Sequence, residues 1–216
     1  IAPDLVLTAA HCLFEQGTGR RYQVDEIEFL AGWRNGRANA YANLRAAVAH
    51  PDFDFLGADK DARIAHDVAL LQLAQPIRKS SITPFKTGEH PRKGDQVGVV
   101  SYARARTQSP SIQDQCHVLA RRSGMLILSC DVDFGASGAP VFSINENGLA
   151  QIVSVISAKA EIRGRPVALG TNLRQTLGDL IALLPKPGMV ATTRVIYRTI
   201  VSGAASSAGG AKFVRP

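Results

Sequence analysis

The sequence predicts an all-β domain, either an antiparallel sandwich or a barrel, followed by one C-terminal helix. Most of residues 1–170 consists of short apolar runs, and Gly, Pro, Asn and Asp separate these runs. This pattern is typical of antiparallel strands joined by turns. Strands and helices do not alternate along the chain, so a parallel sheet is not expected. One segment near residue 180 has apolar residues at helical spacing, which predicts the helix.

Each predicted strand is an apolar run with turn-forming residues near its ends. In chain order the runs are 5–7, 27–30, 68–73, 97–100, 125–128, 139–142 and 152–156.

The predicted helix covers residues 172–184, within TNLRQTLGDLIALLPKPG. Thr171 or Asn172 supplies a cap at its start, and Pro185 and Pro187 end it. We expect its apolar stripe to pack on the barrel and to carry no chemistry of its own. The stripe consists of Leu173, Leu177, Leu180, Ile181 and Leu184.

Length and composition are those of an ordinary globular protein. The chain has 216 residues, enough for one large domain or two small packed halves, with 45% apolar and 20% charged residues. No run of about 18 apolar residues is present, so no transmembrane helix is expected. No signal peptide is visible either.

The formal net charge of +7 is concentrated in the C-terminal tail. Residues 185–216 form a basic extension in which MVATTRVIYRTIV predicts one more strand and SGAASSAGGAK predicts a flexible or disordered linker. Because the rest of the chain is nearly balanced and lacks RNA-binding or zinc-finger motifs, we expect no specific nucleic-acid partner. The basic residues of the tail, which contains no acid, are Lys186, Arg194, Arg198, Lys212 and Arg215.

The cysteines are Cys12, Cys116 and Cys130, and no Cys-x-x-Cys motif occurs. Cys116 and Cys130 either close a hairpin loop as a disulfide or remain buried thiols. A bridge of that length stabilises by about 3 kcal/mol in the chain-entropy model. Since disulfides persist in oxidising compartments, a bridge favours a secreted or periplasmic protein.

Polar residues in three distinctive contexts suggest nucleophilic catalysis. His11 follows an apolar run in LTAAHC, and Asp67 directly precedes the apolar strand of HDVALLQL. A partly buried carboxylate there needs a partner, and a histidine N–H is a suitable one. Ser137 lies between Gly135 and Gly138 in FGASGAPVF, where a sharp turn exposes its hydroxyl and nearby amides can face a developing oxyanion.

The order His, Asp, Ser is that of the chymotrypsin type of triad. LTAAHC (7–12), HDVALLQL (66–73) and GASGAP (135–140) resemble the signature motifs of trypsin-like serine proteases. AVAHPDFD (47–54) resembles the stretch that usually precedes the aspartate in that family. The resemblance covers about residues 1–184, which we assign as the protease domain.

The resemblance implies two antiparallel six-stranded Greek-key β-barrels and a serine endopeptidase acting on polypeptides. Ser137 would attack the scissile carbonyl, His11 would take and return the proton, and Asp67 would hold the imidazole in the right tautomer. The amides of Gly135 and Ser137 would form the oxyanion hole. We expect a monomer without a cofactor.

No metal is expected either, because the remaining histidines lack ligand spacing such as His-Glu-x-x-His. They are His50, His66, His90 and His117.

The family pattern also indicates what the chain lacks. In the family, TAAHC follows the first strands of the N-terminal barrel and a cysteine that pairs with the position of Cys12. We therefore expect a truncated sequence with an incomplete first barrel and a free Cys12.

The serine motif departs from the common Gly-Asp-Ser-Gly-Gly-Pro at Ala136 and Ala139. Ala136 cannot pair with a newly cleaved N-terminal amine, so that mode of activation should be absent. This form of the serine motif and the surrounding segment SCDVDFGASGAP (129–140) look more like those of bacterial and glutamyl-endopeptidase-type relatives.

Specificity is left open by conflicting indications. In the trypsin-like pattern, the position of Asp131 lies at the base of the primary pocket, where an acid selects Arg or Lys. Relatives of other specificities carry an Asp there as well. IVSVISAK (152–159) resembles the strand lining the pocket. From this likeness we expect Ser154 to help orient Asp67, and a bulky Ile156 at the pocket mouth to favour small side chains.

The sequence also bears on two other functions. A catalytically silent trypsin-like homologue acting as a binding domain remains the alternative. The complete set of His11, Asp67 and Ser137 argues against it, whereas the missing first strands and the pocket substitutions argue for it. An α/β-hydrolase esterase needs Gly-x-Ser-x-Gly and the order Ser, acid, His, and neither is present.

Overall fold

The computed structural model describes residues 1–103 and 106–185, and within them the strands form two successive antiparallel structures. The first is a four-stranded sheet in the order β1-β4-β3-β2. Its strands are β1 (Leu5–Thr8), β2 (Glu28–Ala31), β3 (Ala40–Ala49) and β4 (Ala69–Leu73). This open sheet occupies the place of the first barrel, in agreement with the expected incomplete barrel.

The second structure is a closed six-stranded barrel in the order β10-β7-β6-β5-β8-β9. All its strand pairs are antiparallel, and closure leaves no free edge. The predicted all-β double-barrel architecture is confirmed. The strands are β5 (Gln96–Ser101), β6 (Ser111–Arg122), β7 (Met125–Leu128), β8 (Pro140–Ile144), β9 (Ala150–Ile162) and β10 (Arg165–Asn172).

Both helices of the described chain are capped by a side chain at the N-terminus. Helix α1 (Lys60–Ala65) begins after Asp59, whose carboxylate accepts the Ala62 N–H at 3.1 Å. Helix α2 (Leu173–Leu183) begins after Asn172, whose side-chain oxygen accepts the Arg174 N–H at 3.1 Å. Each cap satisfies one amide that the first turn leaves without a partner. The predicted C-terminal helix is therefore confirmed within one residue at each end.

Helix α2 packs where the sheet and the barrel meet. Its Leu173 and Leu180 are buried in one apolar cluster with Val68 and Leu70 from the sheet side and Val155 from the barrel. Ile181 differs from the expected stripe, since it is 49% exposed. This cluster joins the two β-structures.

The disulfide Cys116–Cys130 is present and links β6 to the segment after β7, with the Cα atoms 5.0 Å apart. Cys12 is free and buried, as expected. The predictions for the C-terminal extension, a strand over 189–201 and a linker over 202–212, lie outside the described residues. Among the helices of the described chain, none has the length and apolarity needed to cross a membrane.

Candidate active site

His11 and Asp67 meet because β1 and β4 pair antiparallel. Thr8 at the end of β1 lies opposite Ala69 at the start of β4, so the residues just beyond this pair are neighbours. His11 sits in a short 3₁₀ turn after β1, and its backbone N–H donates to Asp67 Oδ1 at 2.8 Å. Its ring Nδ1 lies 2.6 Å from Asp67 Oδ2.

The Asp67 carboxylate is only 2% exposed and is held by several donors. Besides the two His11 groups, the Ser157 hydroxyl donates to Oδ2. A buried carboxylate is costly unless it is hydrogen-bonded, and these donors meet that requirement.

The prediction that Ser154 orients Asp67 is wrong, and Ser157 does so instead. The Ser154 hydroxyl donates to the Thr171 carbonyl at 2.8 Å. The cause is an irregularity in the β9–β10 pairing, where Leu169 lies opposite Ala158 but Gly170 lies opposite Ile156. Ser157 is the extra residue of this bulge, which redirects the side chains that follow.

The contact with Asp67 fixes the tautomer of His11. A carboxylate only accepts hydrogen bonds, so Nδ1 carries the proton and the neutral ring has its lone pair on Nε2. Burial alone lowers the pKa of His11, but the hydrogen bond to Asp67, the adjacent Cys12 thiol and the charge of Asp67 outweigh it. Together they raise the pKa of His11 to about 10.

The segment around Ser137 consists of two tight turns. The Ala136 N–H donates to the Asp133 carbonyl at 3.1 Å, and the Ala139 N–H donates to the Ala136 carbonyl at 3.0 Å. The third residues of these turns are Gly135 and Gly138, with φ of 92° and 76°. Turns of this type need a positive φ at that position, which glycine adopts without strain.

This double turn is fixed between β9 and the end of β1. The Gly138 N–H donates to the Ile156 carbonyl at 2.8 Å, and the Ile156 N–H donates to the Ala139 carbonyl at 2.9 Å. On the other side, a Cβ on Gly138 would lie 2.5 Å from Thr8 Oγ1 and 3.6 Å from Cys12 Sγ. Only glycine therefore allows this approach.

The turn that carries Ser137 approaches the segment of His11 through Gly138, whose Cβ position lies 3.6 Å from Cys12 Sγ, but Ser137 and His11 form no hydrogen bond. Within the described chain the Ser137 hydroxyl has no hydrogen-bond partner, and Cys12 Sγ lies 3.8 Å from His11 Nε2. The amides of Gly135 and Ser137 also donate to no acceptor in the described chain. Two unpaired amides beside a serine are able to receive a substrate oxygen.

The prediction that Ile156 narrows a pocket mouth is wrong, because its side chain is 2% exposed and belongs to the barrel core.

The bulge at Ser157 moves Lys159 toward the serine turn. Its Nζ lies 3.8 Å from Asp133 Oδ1 and 4.2 Å from the centroid of the Phe134 ring. Asp131 is exposed, and its backbone N–H donates to Gln113 Oε1 at 3.0 Å.

A second cluster of titratable groups was not expected from the sequence. Single ligand atoms of His50, Asp52 and His66 lie within 4.8 Å of one another, a group that can hold a metal ion. The expectation of no metal site rested on short sequence motifs, whereas the fold brings these residues together from different segments.

A closed antiparallel barrel joined to a second antiparallel sheet, with a hydrogen-bonded His–Asp pair at their junction, defines the chymotrypsin-like class of fold. The family model of the trypsin-like peptidase domain matches residues 1–150. The chain belongs to this family. No curated protein matches it.

Proposed function

We propose that the chain is a serine endopeptidase in which Ser137, His11 and Asp67 form the catalytic triad. The observation that carries this proposal is the buried Asp67 carboxylate, which is hydrogen-bonded to both the backbone and the ring of His11. In the neutral form of the ring this arrangement leaves the lone pair of His11 on Nε2, which faces Cys12 Sγ at 3.8 Å and is the proposed proton acceptor. Family membership supports the same reaction class.

The first half of the reaction forms an acyl-enzyme. Ser137 Oγ attacks the carbonyl carbon of the scissile peptide while its proton passes to His11 Nε2. The negative charge that develops on the carbonyl oxygen is stabilised by the amides of Gly135 and Ser137. The C–N bond then breaks, and the leaving amine takes the proton from His11.

The second half repeats these steps with water. His11 accepts a proton from the water, whose oxygen attacks the acyl carbon, and then returns the proton to Ser137 Oγ. Asp67 stays ionised throughout and stabilises the imidazolium formed in each half. The Ser137–His11 hydrogen bond has to form when substrate binds, as is common for catalytic contacts that are loose without substrate.

We propose that Lys159 favours an acidic side chain at the residue whose carbonyl is attacked. Its ammonium lies beside Asp133 and Phe134, immediately before the Gly135–Ser137 turn, and the Lys159 side chain is 47% exposed. A cation at this position attracts a carboxylate and repels Arg or Lys. The resemblance of residues 129–140 to glutamyl-endopeptidase-type relatives favours the same preference, against the basic preference that Asp131 suggests.

The compartment and assembly are part of the proposal. The Cys116–Cys130 disulfide supports action in a secreted or periplasmic environment, because such bridges are reduced in the cytosol. We propose that the chain acts as a monomer on polypeptide substrates, without a specific nucleic-acid partner.

Hydrolysis of a fluorogenic peptide library tests the proposed activity. Wild type is expected to cleave a subset of peptides, and Ser137→Ala is expected to lower kcat by roughly 10⁴–10⁶-fold. A catalytically silent binding homologue would give equal, background hydrolysis in both proteins.

A further inference from the structure

A polar cavity lies between α1, α2 and the loop after β3, outside the His11–Asp67 pair. Its volume is about 610 Å³. The carboxylates of its lining come from the loop after β3, from the start of α1 and from α2, and the lining contains no lysine or arginine. Such a cavity favours a cation over an anion. The acids are Asp52, Asp59, Asp61 and Asp179.

Two histidines supply nitrogen donors at the wall of this cavity. The rings of His50 and His66 are stacked, with centroids 4.8 Å apart and planes inclined by 19°. His50 is only 6% exposed. The Nδ1 atom of His66 is buried and has no hydrogen-bond partner in the described chain. A buried imidazole nitrogen without a partner is unusual unless the structure is completed by another ligand.

We propose that His50, Asp52 and His66 bind a divalent transition-metal ion of the zinc class, with Asp179 as a fourth ligand. Imidazole and carboxylate donors are a ligand set that suits Zn²⁺, Co²⁺ and Ni²⁺. The three primary ligand atoms lie within 4.8 Å of one another, and Asp179 Oδ2 lies 3.9 Å from His50 Nε2. Tetrahedral zinc needs neighbouring ligand atoms about 3.3 Å apart, so the longest of these separations has to shorten by up to about 1.5 Å.

Ion binding has one identifiable local consequence. The Asp52 N–H donates to His50 Nδ1 at 3.2 Å, so the proton of the neutral ring is on Nε2. Metal ligation through either nitrogen of His50 ends this hydrogen bond. If Nδ1 binds the metal, its lone pair is no longer available to the Asp52 N–H. If Nε2 binds the metal, the proton of the neutral ring moves to Nδ1, which then cannot accept. The Asp52 amide is therefore a direct reporter of occupancy.

The ligands belong to separate segments, which an ion would tie together. His50 follows β3, and its N–H donates to the Val68 carbonyl at 3.0 Å. His66 ends α1 and is the residue directly before Asp67. Asp179 lies on α2. Binding is therefore expected to raise the melting temperature with metal concentration, as for any ligand that binds only the folded chain.

Titration of the full chain with Co²⁺ and Zn²⁺ tests this site. We expect one ion per chain, visible absorption bands of a nitrogen- and oxygen-bound Co²⁺, displacement by Zn²⁺, and no competition from Mg²⁺ or Ca²⁺. The Asp52 amide signal should shift in the ¹H–¹⁵N spectrum. His66→Gln and Asp52→Asn should each weaken binding by on the order of 100-fold, since loss of even an outer-shell partner costs 10–100-fold. His117→Gln, which removes an exposed histidine on β6, is the matched control and should leave binding unchanged.

The competing location is His11 with Cys12, whose Nε2 and Sγ are 3.8 Å apart. Binding that disappears in Cys12→Ala but persists in His66→Gln would overturn the proposal. The absence of bound Co²⁺ at millimolar concentration in folded protein would also overturn it. So would binding of Ca²⁺ as tight as that of Co²⁺, if His66→Gln leaves that binding unchanged. Circular dichroism of each variant establishes that it is folded before titration.

Discussion

The Ser157 hydroxyl donates to Asp67 Oδ2, the same carboxylate oxygen that lies 2.6 Å from His11 Nδ1. Ser157 is 90 residues beyond Asp67 and reaches it from the bulge in β9. A barrel residue therefore helps to position Asp67, although Asp67 and His11 both belong to the first sheet and its adjoining turns. The geometry of the His11–Asp67 pair thus depends on both β-structures being correctly packed.

Replacement of Ser157 by alanine tests this positioning role. A hydrogen bond to a charged group is worth about 1.5–3 kcal/mol, so Ser157→Ala should lower kcat roughly 10- to 100-fold. KM should change little, because the hydroxyl supports Asp67 rather than substrate. Ser154→Ala is the informative comparison, since Ser154 bonds the Thr171 carbonyl instead. A larger kcat loss in Ser154→Ala than in Ser157→Ala would contradict the assignment.

The charge state of His11 gives a pH prediction. Its pKa is raised from 6.5 to about 10, so the ring stays protonated at neutral pH and kcat/KM should rise with pH toward 10. Because the folded pKa lies above the unfolded one, the stabilisation from this group is complete below pH 6.5 and is lost as pH rises through 10.

Two-dimensional NMR of the imidazole of His11 measures this titration directly. Asp67→Asn should lower the midpoint of the His11 titration, because it removes the carboxylate that accepts the hydrogen bond of the ring. A midpoint near 6.5 in the wild-type protein would contradict the account, as would a midpoint that Asp67→Asn leaves unchanged.

Glycine at position 138 is required by contact as well as by conformation. Gly138→Ala adds a Cβ 2.5 Å from Thr8 Oγ1 at a φ of 76°, so both steric and backbone strain arise. Gly148→Ala has nearly the same φ, 74°, with no atom within 4 Å, and isolates the backbone contribution of about 1–2 kcal/mol. In urea unfolding, Gly138→Ala should lose at least about 1 kcal/mol more than Gly148→Ala. Equal losses would show that the turn does not pack against β1 as described.

Substrate preference separates the roles of Lys159 and Asp131. Wild type should prefer peptides with Glu or Asp at the cleaved residue over those with Arg or Lys. Lys159→Gln should reduce the ratio of acidic to basic cleavage by roughly tenfold, because it removes one partly exposed charge contact between the Lys159 ammonium and the substrate carboxylate. Asp131→Asn is the matched charge-neutralising control and should change the ratio less. A wild type that prefers Arg, and that no longer cleaves after Arg once Asp131→Asn is introduced, would contradict the proposed acidic preference.

The sequence predicted the strands with strong apolar runs and missed those without them. β1, β2, β4, β5, β7 and β8 lie where expected, and the predicted run 152–156 lies within the longer β9. β3 is rich in alanine, a weak strand former, and buries Ala40 and Ala46 instead of branched residues. β6 alternates buried Cys116 and Val118 with polar neighbours, and α1 is too short to show a helical period.

The candidate site was predictable from the sequence only for residues that lie in short, recognisable motifs. The His11–Asp67 pair follows from motifs on adjacent strands. Ser157 and Lys159 depend on a bulge that strand periodicity cannot reveal, and the resemblance of residues 152–159 to the family's pocket strand pointed to Ser154 and Ile156 instead. The His50–His66 cluster arises from the packing of α1 against the loop after β3, a tertiary contact without a sequence motif.

Labelling with a fluorophosphonate probe, followed by intact mass and peptide mapping, tests the central claim most directly. The account predicts one adduct per chain, on Ser137, that is absent from Ser137→Ala and strongly reduced in His11→Ala. Folded wild-type protein that forms no adduct, or that labels equally well in Ser137→Ala, would contradict it.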